Sequence, residues 1–202
     1  MQLKQKKTLL KHGIITSAFM LMVACAPPKP ETISPDSLRT PQVSPKKISS
    51  WNVSGAIAAK NKKKAWTASL HWQQQGPNTY EIRLFGPLGG GTVLIEKQGS
   101  TVTFRDGQRT VTSTNPDALL LQETGVHLPV QNLFYWLRGL PAPGHHTEIK
   151  NKTGQLDTLN QAGYILHYTE YTTVNNIPLP TKIRLDGHGG MVKVIIKHWE
   201  IH

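Results

Sequence analysis

Residues 65–72 read "AWTASLHW" and residues 79–84 read "TYEIRL". In the first stretch Trp66, Ala68, Leu70 and Trp72 share one side of an extended chain, and Thr67, Ser69 and His71 share the other. In the second, Tyr80, Ile82 and Leu84 alternate with Thr79, Glu81 and Arg83. A period of two with one apolar and one polar side belongs to antiparallel strands that pack on one face and meet water on the other. Gly76-Pro77-Asn78 between them breaks the pattern as a turn does.

The same punctuation runs on in both directions. Further strands are predicted at 50–60, 92–98, 101–105, 108–113, 146–151, 154–160, 163–172, 181–186 and 191–201, parted by Gln98-Gly99, Asp106-Gly107, Ala162-Gly163 and Gly187 to Gly190. Ten or eleven short strands suffice for a strongly curved sheet or barrel. Two segments are helical instead. "NPDALLLQETG" (115–125) offers Asn115 as N-cap, Pro116 in the first turn and Gly125 as the stop. In "PVQNLFYWLRGLP" (129–141), Val130, Leu133, Phe134 and Leu137 fall on one helix face. Neither helix is long enough to stand alone, so both must pack on the apolar face of the sheet. That arrangement is either a solid core, the commoner outcome, or a lidded cavity, and the pattern does not separate the two.

The first 24 residues read as a secretory signal peptide, with Lys4, Lys6, Lys7 and Lys11 ahead of an apolar run (14–24) too short to span a bilayer. Met22-Val23-Ala24-Cys25 resembles the bacterial lipobox, with methionine where leucine is usual; the alternative is an ordinary signal peptide followed by a stray cysteine. Cys25 is the only cysteine, so no intramolecular disulfide can form. By resemblance to bacterial lipoproteins, Cys25 carries three acyl chains and anchors the protein permanently, whereas one chain would hold it weakly. Ala26, in place of the Asp that marks inner-membrane retention in many such proteins, implies the periplasmic face of the outer membrane. Residues 26–47 contain six of the fourteen prolines and read as an extended linker. At ~3 Å per residue it reaches up to ~65 Å. The expected organisation is therefore a signal peptide (1–24), a lipidated cysteine with its Pro-rich linker (25–47) and one β domain (48–202).

Removing the four lysines of the signal peptide lowers the formal net charge from +11 to +7. Nucleic acid is the first partner a basic chain suggests, but it does not fit this compartment. Anionic lipid or an acidic protein does, as does a generally basic solvated surface. "KNKKK" (60–64) reads as a charged hairpin turn. The chain has no G-x-S-x-G elbow, and "GPLGGG" (86–91) lacks the spacing and the following Lys-Ser/Thr of a phosphate cradle. His145 and His146 would point to opposite faces of a strand, His71 lies on a wet face, His188 in a glycine turn and His202 at the end, without H-E-x-x-H or a partner cysteine. No catalytic residue, metal site or cofactor is expected. One loop is odd: in "RLFGPLGGGTVLI" (83–95) Pro87 and Leu88 top a glycine stalk, where a loop normally carries polar residues.

Taken together, these stretches resemble the LolB family, the outer-membrane lipoprotein receptors of the Lol sorting pathway. The resemblance is carried by the lipobox, the Trp-rich early strands, the strand–"PLG"–strand loop (87–89), "LPVQNLFYWLRGLP" (128–141) and a closing strand with Trp199. It implies a mainly β fold with a few short helices: an antiparallel, unclosed β-barrel with a helical lid over an apolar cavity, in preference to a solid core. The cavity would receive the acyl chains of lipoprotein cargo from a LolA-like periplasmic carrier, and the protein, expected as a monomer, would deliver them to outer-membrane lipid. Leu88 matches the loop leucine that the family uses to put cargo into the membrane, flanked by Pro87 and Gly89. Burying a leucine contributes about 1.5–3 kcal/mol, enough to dip a loop into lipid. By strand phase, cavity candidates are Trp66, Leu70, Trp72, Tyr80, Ile82 and Leu84, with Leu133, Phe134 and Leu137 from the second helix. Two rivals share the strand pattern: a lipoprotein that binds free lipid or glycolipid in envelope assembly, and a structural lipoprotein with a solid core.

Overall fold

Eleven strands form one antiparallel sheet. They are β1 (Ser50–Asn61), β2 (Ala65–Gln75), β3 (Thr79–Phe85), β4 (Thr92–Gln98), β5 (Thr101–Asp106), β6 (Arg109–Ser113), β7 (His146–Lys150), β8 (Leu156–Gln161), β9 (Tyr164–Val174), β10 (Ile177–Gly187) and β11 (Gly190–Ile201). The computed structural model describes residues 44–87 and 91–202, within a unit spanning Arg39–His202. The expected signal peptide, Cys25, most of the linker, and Leu88 and Gly89 lie outside the described residues.

The strand order, β6-β5-β4-β3-β2-β1-β11-β10-β9-β8-β7, is two hairpin meanders joined where β1 pairs with β11. Hairpins link neighbours cheaply because antiparallel strands need only a short turn. The edge strands β6 and β7 do not pair, so the barrel stays unclosed. Between them in the chain come helices α1 (Pro116–Thr124) and α2 (Val130–Trp136). The one long connection of the sheet is therefore the helical segment itself.

Local chemistry explains the element ends. Asn115 Oδ1 accepts the Ala118 N–H at 3.1 Å, and Gly125 ends α1 in the left-handed region (φ 72°). The second helix is shorter than the apolar pattern implies, because Arg138 N–H turns back to Tyr135 O and Gly139 N–H to Trp136 O, both at 3.0 Å. Strands β9 and β10 run longer than expected around Asn175-Asn176. Both residues have positive φ, as a tight two-residue hairpin requires. The expected strand begins only at 181; β10 also takes in Pro178 and Pro180, which have no partner in β11, and its pairing with β9 slips around Thr181 just after them.

The join between the meanders depends on close backbone contact. A Cβ on Gly55 would lie 2.0 Å from Ile195 O, so only glycine fits opposite β11. Beside it the register slips: Ser54 faces His198 and Gly55 faces Ile196, leaving Lys197 as an extra residue in β11. Without that bulge the alternation Val192, Val194, Ile196 would turn His198 inward; with it, Trp199 is buried and His198 is exposed. Trp199 then meets Trp51 edge-on at 5.4 Å, and Trp51 lies 5.3 Å from Trp72. Gly55→Ala is expected to lower stability by about 3 kcal/mol, the top of the usual overpacking range. The midpoint of urea unfolding at an unchanged slope measures it.

Candidate functional site

From β5 round to β8 the inner face of the sheet is apolar apart from the buried Gln74, Lys97 and Gln161. Leu70, Trp72, Ile82, Leu84, Ile95 and Phe104 are buried there from the first meander, and Leu166, Ile183, Leu185, Val192 and Val194 from the second. Helices α1 and α2 close over it, with Leu119, Leu120, Leu133, Phe134 and Leu137 buried. Between lid and sheet remains an apolar void of about 30 Å³, lined by Ile57, Leu70, Trp72, Ile82, Leu84, Ile95, Val194 and the lid residues Leu120, Leu128, Val130, Leu133 and Leu137. Pockets that hold small ligands run to about 300–1,000 Å³. The lid side chains thus occupy the space that a ligand would need.

The two helices are fastened differently. Helix α2 is bolted to the second meander: Trp136 Nε1 donates to Gln161 Oε1 (2.8 Å), Gln161 Nε2 donates to Ala142 O (2.7 Å), and the Tyr168 hydroxyl donates to Trp136 O (3.1 Å). Arg138 follows it, its guanidinium 4.0 Å over the Phe134 ring, donating to Phe134 O (2.9 Å) and to Ile48 O. Burial lowers that guanidinium to about 10, so it stays charged at neutral pH. Helix α1 is held at its rim by Arg109–Glu123 (2.6 Å) and by Asn61 Nδ2 donating to Gly125 O (2.6 Å). Its first turn carries a partly buried carboxyl, Asp117, whose Oδ1 has no partner among the described residues. Desolvation raises Asp117 above the ordinary carboxyl value, against a smaller lowering by His127 and the Val130 N–H. The helix linker is clasped at His127, whose Nδ1 lies 2.6 Å from the Tyr164 hydroxyl and whose ring stacks on His188 at 4.5 Å.

A second, open pocket of about 590 Å³ lies where β1–β2 and β3–β4 turn. Trp66, Ala68, Leu84, Val93 and Phe104 supply apolar walls, and Lys63, Lys64, Asp106 and Glu123 also line it. Gly86 and Gly91 line it too, and the Gly86 N–H bonds to Gly91 O at 3.0 Å, pinching the base of the β3–β4 loop. Leu84 lines this pocket and the small void alike.

Of the residues chosen by strand and helix phase, the void brings together Leu70, Trp72, Ile82, Leu84, Leu133 and Leu137. Trp66 stands instead in the open pocket. Tyr80 is buried against Trp72 (6.0 Å) outside the void, and Phe134 lies under Arg138. Pro87 is exposed at the end of the described part of its loop. The cavity candidates missed Ile57, Ile95, Leu120, Leu128, Val130 and Val194; Val130 was already on the helix face, Ile95 was visible by alternation with Val93, and Leu128 carried no periodic signal. Among the described residues, no three His, Cys, Asp or Glu side chains are grouped to hold a metal.

The model of the family described as "Outer membrane lipoprotein LolB" matches residues 49–199. A relative from Coxiella burnetii named "Outer-membrane lipoprotein LolB" is 36% identical over 155 residues, covering 76% of this chain and 73% of its own. One of the same name from Nitrosococcus oceani is 34% identical over 196 residues, 94% of this chain and 96% of its own. Among solved structures, a DUF1329 family protein from Desulfovibrio piger is similar in fold alone. Its TM-score is 0.51 at 8% identity, over 78% of this chain and 87% of that one. The family model spans most of the chain and these relatives exceed 30% identity over most of their own length, so the chain belongs to the LolB family of outer-membrane lipoproteins.

Proposed function

We propose that this protein accepts acylated lipoproteins from a LolA-like periplasmic carrier and delivers them to the outer membrane, as a monomer tethered through Cys25. The observation that carries this reading is an apolar sheet face covered by one helical connection whose two halves are fastened with unequal strength. Exposing a sixteen-carbon acyl chain to water costs about 12 kcal/mol at ~0.8 per methylene. Exchanging it between two apolar cavities is close to neutral, so the step needs no nucleotide. Because about 30 Å³ cannot admit such a chain, the lid moves when cargo arrives. Helix α1 is the part that moves, since its polar ties are only to the exposed Arg109 and to Asn61 in a turn, while α2 is pinned through the buried Trp136 and Arg138. Its withdrawal would free the faces of Leu70, Trp72, Ile82 and Leu84 for the acyl chains. Leu88, with Pro87 and Gly89, would enter the outer membrane at delivery.

The mature chain carrying Cys25→Ser, mixed with a carrier–lipoprotein complex, is expected to co-purify with the lipoprotein. Lipoprotein left on the carrier while this chain is folded would overturn the reading, and phospholipid found in the purified protein would then point to a lipid binder. Leu88→Glu should take up cargo normally and deliver it poorly to vesicles; ordinary delivery by that variant removes the loop from the mechanism. Asp117 supplies a pH test of the lid. A carboxyl raised on folding weakens the fold above its folded value, and the penalty lifts as pH falls toward the ordinary 3.8. Asp117→Asn is therefore expected to raise Tm at neutral pH, with a gain that shrinks in acid; a gain constant across pH would contradict this origin.

A further inference from the structure

The β1–β2 turn presents Lys60, Lys62, Lys63 and Lys64, all exposed and none within ion-pair distance of a carboxylate among the described residues. Of the nearby acids, Glu123 is paired with Arg109 (2.6 Å) and Asp186 with Arg184 (2.7 Å), and the exposed Asp106 in the same pocket offsets only part of the charge of the four lysines, so the turn stays net positive. The turn is not a loose tail. Asn61 Oδ1 accepts the N–H groups of Lys63 and Lys64, both at 2.8 Å, and Asn61 N–H donates to Lys64 O at 2.8 Å. Lys63 and Lys64 line the same open pocket as Gly86 and Gly91, the base of the β3–β4 loop.

The same turn holds the end of the lid. Asn61 Nδ2 donates to Gly125 O at 2.6 Å. Lys64 lies across Gly125, its Cδ 2.8 Å and its Nζ 3.2 Å from where a Cβ would stand. The Lys64 ammonium thus sits at the C-terminus of α1, where the helix dipole favours a cation. A lipid phosphate would compete for that ammonium, and Lys64 cannot lie along Gly125 and reach outward at once.

We infer that the lysine turn docks on the anionic headgroups of a bilayer, and that this contact releases the end of α1 so that the lid opens at the membrane. The coupling has a physical source, because the bilayer binds the turn better with Lys64 withdrawn from Gly125, and a ligand shifts a conformation only through such a difference. The inference rests on the delivery reading above and names the surface to which delivery is made.

The test uses the mature chain with Cys25→Ser and vesicles of phosphatidylethanolamine, with or without phosphatidylglycerol. Flotation is expected only with the anionic lipid and to fall at high salt. Replacing the four lysines by glutamine should weaken it on the order of 600-fold, at about fivefold per lysine. Amide exchange at Leu121–Gly125 should speed up on anionic vesicles in the parent chain and stay unchanged in Lys64→Gln, which still floats, about fivefold more weakly. Equal flotation on both lipids, or flotation that survives the loss of all four lysines, overturns the docking; flotation without faster exchange overturns the coupling to the lid. Loss of uptake from the carrier in the lysine variant, with vesicle binding intact, would make the turn a protein contact and overturn the inference. A chain that floats as expected yet takes no lipoprotein overturns the delivery reading instead and leaves the docking standing.

Discussion

The pairing of β1 with β11 is the contact on which the rest of the molecule depends. Each meander is a run of local hairpins, and neither encloses a space by itself. Joined through the close approach at Gly55 and corrected in phase by the Lys197 bulge, they become one curved sheet with a continuous apolar inner face. Two distant ends of the chain must meet for this to happen. Because no turn links the two strands, the tryptophans carried by β1, β2 and β11 hold them by side-chain burial, with Trp51 between Trp72 and Trp199.

An open sheet of this kind leaves its apolar face uncovered, and the chain covers it with the segment that must run from one edge strand to the other. This economy makes the lid inseparable from the topology. Helix α1 follows β6 and is tied beside the first meander, while α2 precedes β7 and is tied to the second. The clasp at His127, Tyr164 and His188 lies between them, against the turn that leads into β11. Movement of one helix without the other is therefore built into where each is fastened. A buried aromatic and a buried arginine fasten α2 with polar ties, whereas α1 adds to its buried Leu119 and Leu120 only the ion pair to the exposed Arg109, one amide and a turn that carries an unpartnered carboxylate oxygen.

Much of this architecture is legible in order along the chain. Trp66 to Trp72 and Tyr80 to Leu84 declare their buried sides, because a strand's period of two survives in any context that wets one face. Asn115 and Gly125 mark α1 by chemistry that acts within a few residues. Legibility fails where distance matters. The start of β10 at Ile177, with Pro178 and Pro180, lies ahead of the expected strand, and the prolines are tolerated because that stretch has no partner in β11, which only the sheet reveals. Tyr80 and Phe134 have the right phase for the void yet stand outside it, because phase assigns a face and not a position along it. Leu128 lines the void from a segment with no period at all.

The sequence by itself determined ten or eleven strands, the side that β2 and β3 bury, the two helices and the family, since all of these follow from local periodicity, capping and motif. Only the tertiary structure decided that β1 meets β11, that the lid fills the space a ligand would use, and that Asn61 and Lys64 hold the end of α1. These are contacts between residues far apart in the chain. Their energies come from surfaces that exist only once the sheet has curved, and no local pattern records a surface of that kind.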